Sequence, residues 1–154
     1  SINACKNIDD WKFVTSFSVG GFEWAGFSKE NPNKLIIISS QKTTILDCDN
    51  GKFENCIADY DEEELIAFCD KLPSEAILIS GQYGGKFPEV TNQGEQIIIQ
   101  ETTQYIRTVT FISNHNKKTK IFESYGLYIC GFSYNGDYFM IADDGGIIVL
   151  KRCC

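Results

Sequence analysis

The 154-residue chain contains one histidine, His115, set between Asn114 and Asn116 in a polar turn. A Ser-His-Asp or Cys-His nucleophile would have to use it, and a loop histidine among Asn and Lys is simply solvated. No run of about 18 apolar residues is present, so no membrane-spanning helix is encoded. The start, SINACKNIDDWK, has no apolar signal core; it begins with Ser rather than Met, which leaves room for a removed upstream segment. There is no N-x-S/T sequon. Zinc needs about four ligands, and no C-x2-C pair precedes another. Asp47 and Asp49 open like a calcium loop, but Gly51 and Lys52 fall where an EF-hand wants an oxygen ligand and a glycine. Gly84-Gly85-Lys86 lacks Walker spacing and a following Ser or Thr. Neither a metal nor a cofactor is expected. Positive charge is scarce as well. Fourteen Lys and Arg face twenty-one Asp and Glu, a net charge of −7, and the basic residues cluster only at Lys117-Lys118 with Lys120. Phosphate neutralisation needs a basic stripe, so nucleic acid is excluded as a partner. An acidic balance suits a basic protein partner instead.

What is present describes a folded β domain. Hydrophobic residues make up 43%, charged residues 23% and aromatics 13%, with eleven Phe and seven Tyr. Such side chains fit pleated, half-buried surfaces. The length suits one domain, residues 1–154, with a real core. Seven cysteines could form three disulfides and leave one thiol. Cys69 and Cys130, however, sit in apolar patterns as small core hydrophobes. Reduced thiols in a cytosolic protein are the expected state, with Cys153-Cys154 the exposed, oxidisable pair.

The pattern predicts about eleven strands. They cover 13–19, 22–28, 34–40, 43–48, 75–81, 95–101, 105–113, 120–124, 127–133, 137–143 and 146–152, joined by Gly- and Asn-rich turns. One short helix is expected over 61–72, where Leu65, Phe68, Cys69 and Leu72 recur at i, i+3, i+4, i+7. Four acids fill its first turn and Pro73 stops it. The helix and central strands, 60–113, lie between two similar segments, 13–48 and 120–152.

Those segments form an internal repeat. Gly26-Phe27-Ser28 aligns with Gly131-Phe132-Ser133, and the loop that follows is read as two residues shorter in the second copy. Leu35 to Ile38 then match Tyr138 to Ile141, and Thr44 to Leu46 match Ile147 to Val149. With the strand before it, each copy makes a four-stranded meander. Each copy resembles a WD-type β-propeller blade: an xFSxxG turn, a hydrophobic strand, a DG-like turn and a closing strand. The second copy carries this through Phe132, Ser133, Gly136, Asp144 and Gly145. In the first copy Gln41-Lys42 replaces the DG turn, and both lack the Trp-Asp and Gly-His of true WD repeats. The chain is also similar to bacterial hypothetical proteins with the same GFS opening and a central Gly-Gly loop, a likeness that implies no activity. Propellers generally use 4–8 blades of about 40 residues. Two blades cannot close a ring, so the meanders are expected to cover each other in a mainly β fold: two blade-like four-stranded antiparallel meanders, central strands and one short helix.

The loop 82–94 is longer than most hairpin connections. It combines Tyr83, Gly84, Gly85, Lys86 and Phe87, and these five are the candidate binding residues. Tyr and Phe supply contact area and Lys a charge; the bland alternative is a bent loop whose aromatics pin it to the core. A non-catalytic protein-binding module is the function that fits this pattern, since blades mostly serve as recognition surfaces. Alternatives are an immunity- or antitoxin-like protein, a carboxylate-dependent hydrolase, or a structural subunit that self-associates through strand edges.

Overall fold

Apolar runs such as Ile36-Ile37-Ile38 can be buried only by a sheet covered on both faces. The computed structural model, which describes residues 8–153, contains two such sheets. Strands β1 (Trp11–Phe17) to β5 follow in chain order: β2 (Phe22–Phe27), β3 (Lys34–Ser39), β4 (Thr43–Asp47) and β5 (Phe53–Asn55). Then come β6 (Ala58–Asp61), β7 (Ile66–Cys69), β8 (Leu72–Leu78) and the two-residue β9 (Ser80–Gly81). The remainder are β10 (Gln96–Glu101), β11 (Arg107–Ile112), β12 (Lys118–Ser124), β13 (Leu127–Phe132), β14 (Tyr138–Asp143) and β15 (Gly146–Arg152). All neighbouring strands pair antiparallel, in four sheets ordered β5-β4-β3-β2-β9, β1-β15-β14-β13, β6-β7-β8 and β10-β11-β12.

Three apolar interfaces order these sheets into a stack. Trp24, Ile36, Ile38 and Ile45 on one face of β2–β4 meet Ala67, Cys69, Leu72 and Ile77 of β6–β8. Ala25, Leu35, Ile37 and Leu46 on the other face meet Met140, Ala142, Ile147 and Val149. The far face of that second sheet, with Phe132, Phe139, Ile141 and Leu150, meets Ile97, Val109, Phe111 and Ile121. The β6–β8 and β10–β12 sheets share no such interface among the described residues. The arrangement is one compact all-β domain, and it is not a closed propeller.

Of each expected four-stranded meander, three strands are in place, β2-β3-β4 and β13-β14-β15, and the strand before each is not. β1 does not pair with β2, nor β12 with β13. Instead β5 and β9 flank the first set, giving a five-stranded sheet, and β1 completes the second by pairing along β15, Trp11 opposite Arg152. The repeat also stands one residue out of its sequence alignment. Phe27 pairs with Leu35 and Phe132 with Phe139, so Leu35 corresponds to Phe139 and the loop is one residue shorter, not two. In this register, corresponding faces follow one another through the stack. Leu35, Ile37 and Leu46 face the next sheet, as do Phe139, Ile141 and Leu150. The two central sheets therefore turn corresponding faces the same way through the stack.

The helix expected at 61–72 is absent; the described residues contain no helix. Its capping chemistry is nevertheless in place. Asp61 Oδ1 accepts from Glu63 N (2.8 Å) and Glu64 N (3.1 Å), as an N-cap would. The turn then stops, because Leu65 adopts φ +56° and the chain enters β7. Ala67 and Cys69 face the core while Phe68 faces solvent, a period of two. Pro73 fits β8 because that strand is the edge of its sheet, where a missing N–H is harmless. Short apolar runs carry helical and strand periodicity at once, and burial against the β2–β4 face decided between them.

No helix among the described residues is long and apolar enough to cross a membrane.

Candidate functional site

The loop singled out by its length crosses the inner edges of both central sheets. After β8 the chain lies beside β2 as β9, with Ser80 opposite Ala25 and Gly81 opposite Trp24. It folds back on itself through Gly81 and Gly84, where Gly81 N donates to Gly84 O at 2.8 Å. It then passes β13, where Phe132 N donates to Pro88 O at 2.8 Å. The glycines of the two GFS motifs admit this crossing. A Cβ on Gly26 would stand 2.3 Å from Leu78 O, and one on Gly131 would stand 2.4 Å from Phe87 Cβ.

The five candidate residues are thereby divided. Phe87 is buried between the two central sheets, its ring 5.4 Å from that of Phe27; it pins the loop. Gly84 and Gly85 form the bend, Gly85 at φ +79°. Lys86 is exposed and pairs with Glu89 at 3.1 Å. Tyr83 is 85% exposed and stands at the rim of a cleft.

That cleft, about 450 Å³, is lined by Phe22, Glu23, Trp24, Glu62, Gln82 and Tyr83. Each residue is placed by a feature already described. Phe22, Glu23 and Trp24 open β2, Glu62 lies in the β6–β7 turn that replaces the helix, and Gln82 and Tyr83 follow β9. Phe22 is held flat against Tyr128, ring centroids 5.7 Å apart and planes 8° from parallel. Glu62 accepts from Trp24 Nε1 at 3.4 Å, and Glu23 accepts from the Tyr60 hydroxyl at 3.2 Å. Burial and this bond to Glu23 together push the Tyr60 hydroxyl above its ordinary value. The ion pairs among the described residues all lie elsewhere, so Glu23 and Glu62 face the cleft without a cation.

No family model and no curated protein matches the chain. Among the described residues, no set of three His, Cys, Asp or Glu is arranged to hold a metal ion. Asp61 is occupied by its own turn, and Asp143 by Gly145 N at 2.9 Å and Ser124 Oγ at 3.3 Å. Asp47 likewise caps its turn through Asp49 N at 2.8 Å. His115 is exposed, its backbone N–H bonded to Ser113 Oγ at 3.2 Å. Cys48 and Cys69 are buried. Cys56, packed on the same cluster as Cys69, is pushed up to about 12 by burial and by its contact with that thiol. Cys153 is exposed, and its neighbour Cys154 lies outside the described residues, as do Ser1–Asn7.

Of the residues that line this cleft, Tyr83 is among the sequence candidates and Phe22, Glu23, Trp24, Glu62 and Gln82 are not. Glu23 and Glu62 carried a faint signal. Glu23 is a charge within an aromatic strand, and Glu62 belongs to an acidic run longer than a four-residue turn requires.

Proposed function

We propose that this protein is a non-catalytic binding module that docks another protein through Tyr83 and the cleft beside it. The observation that carries this reading is the presentation of Tyr83. An exposed aromatic ring sits on a loop fixed at one side by the Gly81–Gly84 bond and at the other by the buried Phe87. A pre-organised aromatic contact loses little entropy on binding, which makes such residues efficient anchors. The net charge of −7 favours a basic partner, and an immunity- or antitoxin-like role is one form this could take. The buried thiols support a reducing compartment such as the cytosol. The stacking of the two central sheets in one sense, with β1 completing the last, supports kinship with propeller blades.

Two carboxylates on one cleft also favour a hydrolase reading. Each carboxyl group, however, is held by a ring donor, Glu23 by the Tyr60 hydroxyl and Glu62 by Trp24 Nε1, which fixes both as part of a binding surface, so binding is the better-supported use.

The test is affinity capture from the native host with mass spectrometry, comparing the parent chain with Tyr83→Ala and Lys86→Ala. One partner that is retained by the parent and lost with Tyr83→Ala is the expected result. Capture that neither substitution alters would overturn the reading.

A further inference from the structure

We infer that the cleft between β2 and the β6–β7 turn is a receptor for the side chain of a lysine or arginine on the docking partner. This rests on the protein-binding reading above and names the chemistry of its contact. The cleft offers the two things such a side chain needs. Phe22, Trp24 and Tyr83 all line the cleft and give apolar surface to an aliphatic stem. Glu23 and Glu62 supply carboxylate oxygens for the charged head. Both carboxylates are already oriented, by Tyr60 and Trp24, so neither has to be ordered when the ligand arrives.

The charge around the cleft points the same way. Asp61, Glu63 and Glu64 surround Glu62 in the sequence of the turn, and no lysine or arginine lines the cleft. An anionic ligand would be repelled, and a neutral one would leave two carboxylates partly desolvated with no partner. A cation satisfies both. At about 450 Å³ the space accepts one long side chain, not a folded segment.

The experiment is a titration of 15N-labelled protein followed by NMR. The probes are capped tripeptides, acetyl-Gly-Xaa-Gly-amide, with Xaa lysine, arginine, norleucine or glutamate. The two indole N–H signals provide a built-in comparison. Trp24 donates to Glu62 at the cleft, whereas Trp11 donates to the buried Glu95 in a different interface. The lysine and arginine peptides are expected to shift the Trp24 signal with millimolar affinity and to leave the Trp11 signal in place. Glu23→Gln with Glu62→Gln should weaken this binding by about tenfold, and an unmoved Trp11 signal shows that the double variant is folded. An equal response to free butylammonium, which reproduces the lysine stem and head without a backbone, supports the inference, because these are the parts the cleft is argued to recognise. An equal response to norleucine, or no response to either cation, overturns the inference. Because the isolated protein is titrated, a positive result here beside a failed capture experiment would remove the protein partner and keep the site.

Discussion

Arg152 shows how one residue can join three elements. It lies at the end of β15 with its guanidinium 4.7 Å from the Trp11 ring of β1. It donates to Glu95 Oε2 at 3.0 Å and to Gly136 O at 2.7 Å. Glu95, which precedes β10, also accepts from Trp11 Nε1 at 2.9 Å and from Thr91 Oγ1 at 2.9 Å. Burial pushes the Glu95 carboxyl up, but the bonds from Arg152, Trp11 and Thr91 and the guanidinium charge outweigh it and hold the group below its ordinary value. A carboxyl depressed in the folded state adds stability above its unfolded value, about 4.3, and that stability is lost as pH falls through the folded value. Glu95→Ala should therefore lower stability at neutral pH by about 2–3 kcal/mol, because it removes the charge-assisted bonds to Arg152 and leaves the guanidinium only Gly136 O and the Asp137 carboxylate at 3.4 Å. It should also flatten the loss of stability below about pH 4. Urea unfolding of parent and variant across that range measures both effects. None of this was legible in the sequence, where Trp11, Glu95 and Arg152 stand far apart with no motif between them.

At the scale of elements, the GFS motif was legible and its purpose was not. Both serines are buried and both organise the turn that follows. Ser28 Oγ accepts from Asn31 N at 2.8 Å and donates to Glu75 Oε1 at 2.6 Å. Ser133 Oγ accepts from Tyr138 N at 3.1 Å and donates to Asn135 Oδ1 at 2.7 Å. The glycines matter because another strand or loop lies where a side chain would be. Gly26→Ala and Gly131→Ala should each cost on the order of 3 kcal/mol through overpacking. Gly20→Ala, whose Cβ would meet only the Gln41 side chain at 3.6 Å, should stay within about 0.5 kcal/mol. Thermal or urea denaturation of the three variants separates these cases. The one-residue slip in the repeat has a related cause. Leu35 to Ile38 is apolar at every position, and a strand buried on both faces has no alternation to fix its register. The 61–72 segment misled for the opposite reason. Its local capping chemistry was real, and only the sheet it packs against determined that the turn would not continue.

For the whole molecule, eleven of the strands could be found from turn signals and β-rich runs. The order of the layers could not, because it depends on which faces meet. The pairing of β1 with β15 is the clearest case, since no local pattern tells Trp11–Phe17 to bypass β2 and join the last strand. Removal of residues 1–17 should leave β15 with an open edge and take Trp11 out of the core. The truncated chain is expected to lose a cooperative thermal transition. A synthetic peptide spanning residues 8–17, added in excess, should restore it by strand addition. Circular dichroism melts with and without the peptide test this, and a truncated chain that melts like the parent would show that β1 is dispensable.

This pairing also imposes an order of events on biosynthesis. The stretch Trp11–Phe17 leaves the ribosome before its partner, which is translated after every other strand described here. Until then its greasy side chains stay bare, and the loop to be closed is long, which slows maturation and favours clumping at high expression.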